Sequence, residues 1–220
     1  EKATPDEIAK NKAVIDKIRE SAQRAVSVNN LKQIALAMHG YHDVHKAFPA
    51  NAIYSNNGKT ALLSWRVAIL PYIDQAPLYR EFKLDEPWDS AHNQKLIAKM
   101  PEVFENPRVK VKAGHTTIVA PVGDKTIFSG KEGMPLSKVV DGTSSTILLV
   151  ECDAEHAVIW TKPDDLEINA KEPAEGLYQD ARKQILLLFA DGSVRGAGPK
   201  EWVNLPAWLT ASGGEIVPQE

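Results

Sequence analysis

The stretch that decides the fold is TPDEIAKNKAVIDKIRESAQRAVSVNNLKQIALAMHGYHDVHKAFP, residues 4–49. It predicts one helix of unusual length. Thr4, Pro5 and Glu7 form a capping box with proline at the first helical position. Phe48-Pro49 ends the element, and no proline interrupts it before that point. Apolar residues recur at three- and four-residue steps, which is the period of an amphipathic helix: Ile8, Val14, Ile18, Ala22, Ala25, Val28, Leu31, Ile34, Met38 and Tyr41.

A helix from about residue 5 to about residue 45 would be about 60 Å long at ~1.5 Å per residue. A domain of this size is roughly 30–35 Å across, so part of the helix has to project. The first half is poorer in apolar residues than the second. We therefore predict that residues 1–24 are a projecting part of the helix or a linker to an upstream region, and that residues 25–220 form the domain. A shorter helix with a frayed start is the alternative.

The remainder of the chain changes from helical to β-rich texture. A turn-rich loop is expected at residues 50–60, followed by short helices near residues 63–70, 76–82 and 90–100. Strands are predicted at residues 116–119, 126–128, 146–151, 157–160 and 184–189, and Asp191-Gly192 is a strong hairpin turn. A short helix over residues 200–212 and an edge strand at residues 215–217 complete the prediction. Helices followed by strands indicate an α+β fold with a small antiparallel sheet on the long helix.

Composition excludes several classes of protein. The net charge is −3 over 220 residues with no basic stripe, so a nucleic-acid partner is not expected. The single cysteine, Cys152, excludes an internal disulfide and a multi-cysteine metal site. No run of about 18 apolar residues is present, so no membrane span is predicted. The sequence opens at Glu1 without a signal peptide, and we expect a processed end or an excised fragment of a larger protein.

No residue pattern predicts catalysis, and no cofactor is expected. His39, His42 and His45 lack the four-residue spacing of a helical zinc motif, and packing is preferred over metal binding. Residues 142–146, GTSST, lack the lysine of a phosphate loop. Cys152 follows an apolar strand and is expected to be buried rather than nucleophilic. The acidic pairs Asp85/Glu86 and Asp164/Asp165 offer loop oxygens for calcium but form no EF-hand, so solvated turns are preferred.

One group of aromatic and charged residues is a candidate ligand or interaction surface. Tryptophans near acidic side chains serve either as anchors within a core or as platforms for sugars. Arg66 is expected to pair with one of the acids near residue 88. The candidate residues are Trp65, Arg66, Asp85, Trp88, Asp89 and Trp160.

Several unusual sequence words, in order, resemble the family catalogued as domain of unknown function 1559. They are SVNNLKQIALAMHGYHD (27–43), LSWRVAILPYIDQAPLY (63–79), DEPWDSAHN (85–93), VVDGTSSTILLVE (139–151), LLFADGSVR (187–195) and SGGEIV (212–217). The positions that carry the family signature are Asn30, Leu31, His42, Asp43, Asp141, Gly142, Asp191 and Gly192.

The resemblance implies a pilin-like or pseudopilin-like plan and an extracytoplasmic location, in a family expanded in planctomycete-type bacteria. Two features depart from the family. The histidine expected ten positions before the Asp191-Gly192 turn is replaced by Ala181, and the amino-terminal helix is polar where relatives have a membrane helix.

The leading expectation is a non-catalytic structural or interaction domain of the bacterial envelope, with protein partners or self-assembly through the residue 8–25 stripe. A ligand-binding module, with glycans as one candidate ligand, is the alternative, and an unrecognised enzyme is the third.

Overall fold

The computed structural model describes residues 5–169 and 171–214. The helices are α1 (Pro5–His45), α2 (Trp65–Ala68), α3 (Ala76–Glu81) and α4 (Leu205–Leu209), with 3-10 turns at Leu70–Tyr72, Asn93–Lys99, Glu102–Phe104, Leu136–Lys138 and Trp202–Asn204. The strands are β1 (Ala52–Tyr54), β2 (Ala61–Ser64), β3 (His115–Thr116), β4 (Ile118–Val119), β5 (Pro121–Val122), β6 (Ile147–Glu151), β7 (Val158–Ile159), β8 (Leu166–Glu167), β9 (Ile185–Phe189) and β10 (Val194–Ala197).

The predicted long helix is confirmed as α1, with 41 residues. Its capping box rests on Thr4, which lies outside the described residues. At the other end, Lys46 follows the last helical residue with a φ of 61°, a left-handed conformation common just after a helix. The Lys46 backbone N–H donates to the His42 carbonyl at 2.7 Å, and its ammonium donates to the Asp43 carbonyl at 2.8 Å. These bonds satisfy carbonyls that the helix end leaves without partners.

The central sheet is antiparallel in the order β10-β9-β6-β4 and has both faces covered. Every residue of β6 and β9 is buried. Because successive side chains of a strand point to opposite faces, Leu186 and Leu188 of β9 pack in the core that contains α1, and Leu187 and Phe189 pack with α4. The hairpin turn at Asp191-Gly192 is confirmed between β9 and β10. The α+β class is therefore confirmed, with the sheet between the long helix and the carboxyl-terminal helix.

Four local predictions need correction or fall outside the described residues. β1 and β2 form an antiparallel hairpin around the segment expected to be a loop. Residues 126–128, expected to be a strand, form turns, since the Thr126 N–H donates to the Gly123 carbonyl at 3.3 Å. β5 and β8 pair in parallel, which a simple antiparallel meander does not contain. The edge strand expected at residues 215–217 lies outside the described residues.

Side chains along α1 change from exposed to buried between residue 22 and residue 27. Side chains from Lys10 to Ala22 are exposed or nearly so, whereas Ser27, Leu31, Ile34 and Met38 are fully buried. The domain boundary at residue 24 stays a prediction. No helix among the described residues is both long and apolar enough to cross a bilayer.

Candidate functional site

The predicted aromatic surface divides into a buried part and an exposed part. Trp65, Arg66 and Trp160 are 0% exposed. They lie in the core, where their rings and guanidinium are not available to a ligand from solvent. Asp85, Trp88 and Asp89 lie in the turns between α3 and the following 3-10 helix, with both acids exposed and the Trp88 ring partly exposed. These six residues therefore do not form one surface.

Arg66 pairs with Asp165, which corrects the expected pairing with an acid near residue 88. Ser64 caps α2 and accepts a bond from the Arg66 guanidinium at 2.8 Å, which directs the side chain inward. Arg66 Nη2 then donates to Asp165 Oδ1 and to the Ile118 carbonyl, both at 2.8 Å. Asp165 also accepts the Trp65 indole N–H at 3.1 Å and the Ala120 backbone N–H at 2.8 Å. Burial raises the pKa of Asp165, and the charge of Arg66 opposes that rise.

The other anchors of the predicted surface also have internal partners. The Trp160 indole donates to the Ile97 carbonyl at 2.9 Å, and its ring packs on Phe82 and Phe104. The loop that carries Asp85, Trp88 and Asp89 is organised by the buried Asn93. The Asn93 amide donates to three carbonyls of that loop and accepts the Lys83 N–H at 3.0 Å. This arrangement accounts for the DEPWDSAHN word as a structural motif.

The family-signature positions mostly connect segments that are distant in sequence. Asn30 donates to the Glu105 carbonyl at 3.0 Å, Leu31 is in the core, and His42 Nε2 accepts the Leu136 N–H at 3.4 Å. Asp43 is exposed. Gly192 has a φ of 84° and places the β9–β10 turn against α1. Asp191 accepts the Ser193 N–H at 2.8 Å, and Asp141, which precedes Gly142, accepts the backbone N–H groups of Gly213 and Gly214.

The structure places Cys152 in the core and the histidines of α1 against aromatic rings. Cys152 is 0% exposed, and burial raises the pKa of its thiol to about 12. His39 and His42 pack edgewise or tilted on Phe48, and His45 stacks on Tyr41. No group of three or more potential metal-ligating side chains occurs in the part of the chain that the structure describes.

The amino-terminal part of α1 presents an exposed apolar seam. Ile15 and Ile18 are 54% and 64% exposed, and Ala22 and Ala25 are exposed as well. The four residues follow steps of three, four and three, which places them along one side of a helix and matches the a/d spacing of a coiled coil. We call these four residues the helix seam. Charges of both signs surround it, from Lys10 and Lys12 to Asp16, Lys17, Arg19 and Glu20.

The carboxyl-terminal end of α1 forms one wall of an aromatic pocket of ≈ 450 Å³, which we call the tyrosine pocket. Tyr41 and His45 come from α1, Tyr72 from the turn after α2, and Tyr79 from α3. The Tyr41 and His45 rings stack at 4.0 Å between centroids, and Tyr41 meets Tyr72 edgewise at 5.7 Å. The Tyr72 hydroxyl lies 3.2 Å from His45 Nε2. Burial raises the pKa of Tyr41 and of Tyr79, and the neighbouring Tyr72 adds to both shifts.

The tyrosine pocket was not predicted from the sequence, although its tyrosines stand in the words that carry the family resemblance. Tyr41 was counted as a core position of the long helix, and Tyr72 and Tyr79 follow prolines at short intervals, in LPY and APLY. Repeated tyrosines in these words were the available signal. Their convergence depends on the contact between α1 and the 70–79 segment, which only the fold shows.

The fold and these two surfaces define an α+β domain with a long helix that is only partly packed on its sheet. Residues 16–115 match the model of a family described as a protein of unknown function, DUF1559. The match confirms the predicted resemblance to DUF1559, and the matched segment contains every residue that lines the tyrosine pocket. No curated protein and no solved structure matches the chain.

Proposed function

We propose that this chain is a non-catalytic interaction domain of the bacterial envelope, with a pilin-like plan, that associates with a second copy through the helix seam. The single observation that carries the proposal is the exposure of Ile15 and Ile18 on a part of α1 that has no sheet beneath it. The pilin-like plan and the envelope location rest on the family resemblance. The glycan-binding alternative stays a prediction, with Trp88 as its one partly exposed tryptophan.

The helix itself favours a partner. In proteins most helical stability comes from packing of an apolar face, and an isolated helix of about 12–15 residues is marginal in water. Residues 10–22 span more than three turns, and their described side chains are exposed or nearly so. Packing the helix seam against another helix would supply the missing apolar contact. We therefore expect the exposed half of α1 to be stabilised by association.

A second copy of this chain is the partner that the spacing and charges fit best. The three-four-three spacing of Ile15, Ile18, Ala22 and Ala25 is that of knobs-into-holes packing, in which identical helices can pair. The alanines allow close approach of the two backbones. The mixture of lysines with Asp16 and Glu20 beside the helix seam gives each helix both signs of charge, so a second copy meets complementary groups.

The test is the solution mass measured by light scattering over a concentration series. The double variant Ile15→Lys/Ile18→Lys places two charges in the helix seam and is expected to be a monomer at concentrations where the unaltered chain associates. The matched control is Val140→Lys/Val203→Lys, which adds the same charges at sites that are 73% and 79% exposed outside α1. The control is expected to associate as the unaltered chain does. A monomer at every concentration for the unaltered chain would contradict the proposal.

A further inference from the structure

The tyrosine pocket has the size and lining of a small-molecule site. Its ≈ 450 Å³ falls within the range of ligand pockets, about 300–1,000 Å³. Pro49, Ala52, Ile53 and Leu84 supply apolar walls beside the aromatic rings. The tyrosine hydroxyls and the His45 ring supply polar atoms to the lining. The lining therefore suits a compact ligand that has both apolar and polar parts.

The aromatic rings favour a cationic ligand over a neutral one. Tyr41, Tyr72 and Tyr79 offer electron-rich faces, and a cation within about 6 Å of such a face is attracted by the ring quadrupole. Elsewhere in the molecule, two tyrosine rings are each paired with a cationic side chain of the protein. Lys131 Nζ lies 5.6 Å from the Tyr54 ring centroid, and the Arg108 guanidinium lies 4.7 Å from the Tyr178 centroid.

The three pocket tyrosines differ from these two. Among the described residues, no lysine or arginine lies over the ring of Tyr41, Tyr72 or Tyr79, and none lines the pocket. No lysine or arginine of the described chain therefore lies against the faces of these rings, and the His45 ring covers one face of Tyr41 at 4.0 Å between centroids. Three of the five tyrosines in the sequence are left in this state, and all three border the same pocket.

We propose that the tyrosine pocket binds a small organic cation with an alkylated ammonium group. An alkylated ammonium is large and weakly hydrated, so it loses less on leaving water than a primary ammonium does and covers more of an aromatic wall. Choline represents this class, and its neutral isostere 3,3-dimethyl-1-butanol has the same shape without the charge. The inference does not depend on self-association, since the helix seam and the pocket share no residue.

The first measurement compares choline with 3,3-dimethyl-1-butanol by isothermal titration calorimetry on the unaltered chain. Choline is expected to bind saturably, with an affinity at least about fivefold higher than that of the isostere. Equal affinities would overturn the proposal, because the site would then respond to shape and apolar area alone. Absence of saturable choline binding would overturn it as well. This comparison requires no variant and so does not depend on the folding of one.

Two variants then locate the site. Tyr79→Leu removes an aromatic face and is expected to weaken choline binding about fivefold. Tyr54→Leu removes a tyrosine outside the pocket and is the matched control, with unchanged choline affinity expected. Loss of binding in the Tyr54→Leu variant but not in the Tyr79→Leu variant would place the cation elsewhere and overturn the assignment. The far-ultraviolet circular dichroism of each variant verifies that its fold is retained.

Discussion

The Arg66 guanidinium and the Asp165 carboxylate form an ion pair at 2.8 Å in which both side chains are almost completely buried, at 0% and 4% exposed. Such a pair is costly to desolvate, and it is tolerated here because both members make further hydrogen bonds. Ser64, the Ile118 carbonyl, the Trp65 indole and the Ala120 N–H complete the hydrogen bonds. The pair joins α2 to the loop before β8.

Removing one member of this pair should be strongly destabilising. Asp165→Asn leaves the Arg66 charge buried with no opposite charge, and a loss of about 3–5 kcal/mol in the free energy of unfolding is expected. Urea denaturation followed by circular dichroism measures it. The control is Glu81→Gln, which breaks the exposed Lys99–Glu81 pair at 2.6 Å and should cost at most about 1 kcal/mol. Similar losses in both variants would show that burial does not determine the effect.

The buried thiol makes stability fall at alkaline pH. Burial raises the pKa of the Cys152 thiol to about 12 in the folded chain, above its ordinary value of 9.0. Between these values the unfolded chain has lost the thiol proton and the folded chain has kept it, so raising the pH favours unfolding. The slope from this one group is at most about 1.4 kcal/mol per pH unit. Urea denaturation between pH 8 and pH 10 should show a steeper fall for the unaltered chain than for Cys152→Ala.

Iodoacetamide gives an independent reading of the same thiol. At pH 8 the native chain should react far more slowly than the chain in 6 M urea, since the thiolate is both disfavoured and shielded. Rapid alkylation of the native protein would contradict the buried position of Cys152.

Two tryptophans of the predicted surface should behave differently on truncation. Trp160 is 0% exposed between Phe82 and Phe104, so Trp160→Ala should destabilise the chain by about 3–5 kcal/mol. Trp88 is partly exposed, with Lys162 Nζ 5.9 Å from its ring centroid, and Trp88→Ala should cost less than about 2 kcal/mol. Thermal unfolding of both variants compares them directly. An equal loss for the two would indicate that Trp88 is also a core anchor.

Local signals were sufficient for the long helix and for the hairpin turn. Three- and four-residue periodicity from Val14 to Tyr41, with Phe48-Pro49 as the stop, defined α1. Asp191-Gly192 defined the β9–β10 turn because glycine adopts the positive φ found there. The β1–β2 hairpin was missed because its strands are three and four residues long and are joined by an Asn- and Gly-rich segment. Residues 127 and 128 were assigned to a strand from their apolar character, yet the structure buries them in turns.

The partners of the charged and aromatic residues were beyond reach of the sequence. Arg66 and Asp165 are separated by 99 positions, and several closer acids were equally reasonable partners before the fold was available. The tyrosine pocket has the same origin, since its rings come from three different elements. Periodicity assigns a residue to a face of its own helix, whereas the contact between elements determines what that face meets.

Two adjacent asparagines on α1 test how the helix is held to the domain. Asn30 is 8% exposed, and its amide donates to the Glu105 carbonyl at 3.0 Å and to the Glu102 carbonyl at 3.5 Å. Asn30→Ala removes these hydrogen bonds and should cost about 0.5–1.5 kcal/mol in the free energy of unfolding. Asn29 is exposed, and Asn29→Ala should be neutral or slightly stabilising, because alanine has the higher helix propensity.

The Asn30 and Asn29 variants share the same helix, the same substitution and nearly the same position, so helix propensity changes equally in both. Their difference in urea denaturation therefore isolates the contact between α1 and the 102–105 segment. Hydrogen exchange in α1 should be faster in the Asn30→Ala variant and unchanged in the Asn29→Ala variant, because only the first loosens the attachment. Equal stabilities would mean that apolar packing of Leu31, Ile34 and Met38 alone holds the helix in place.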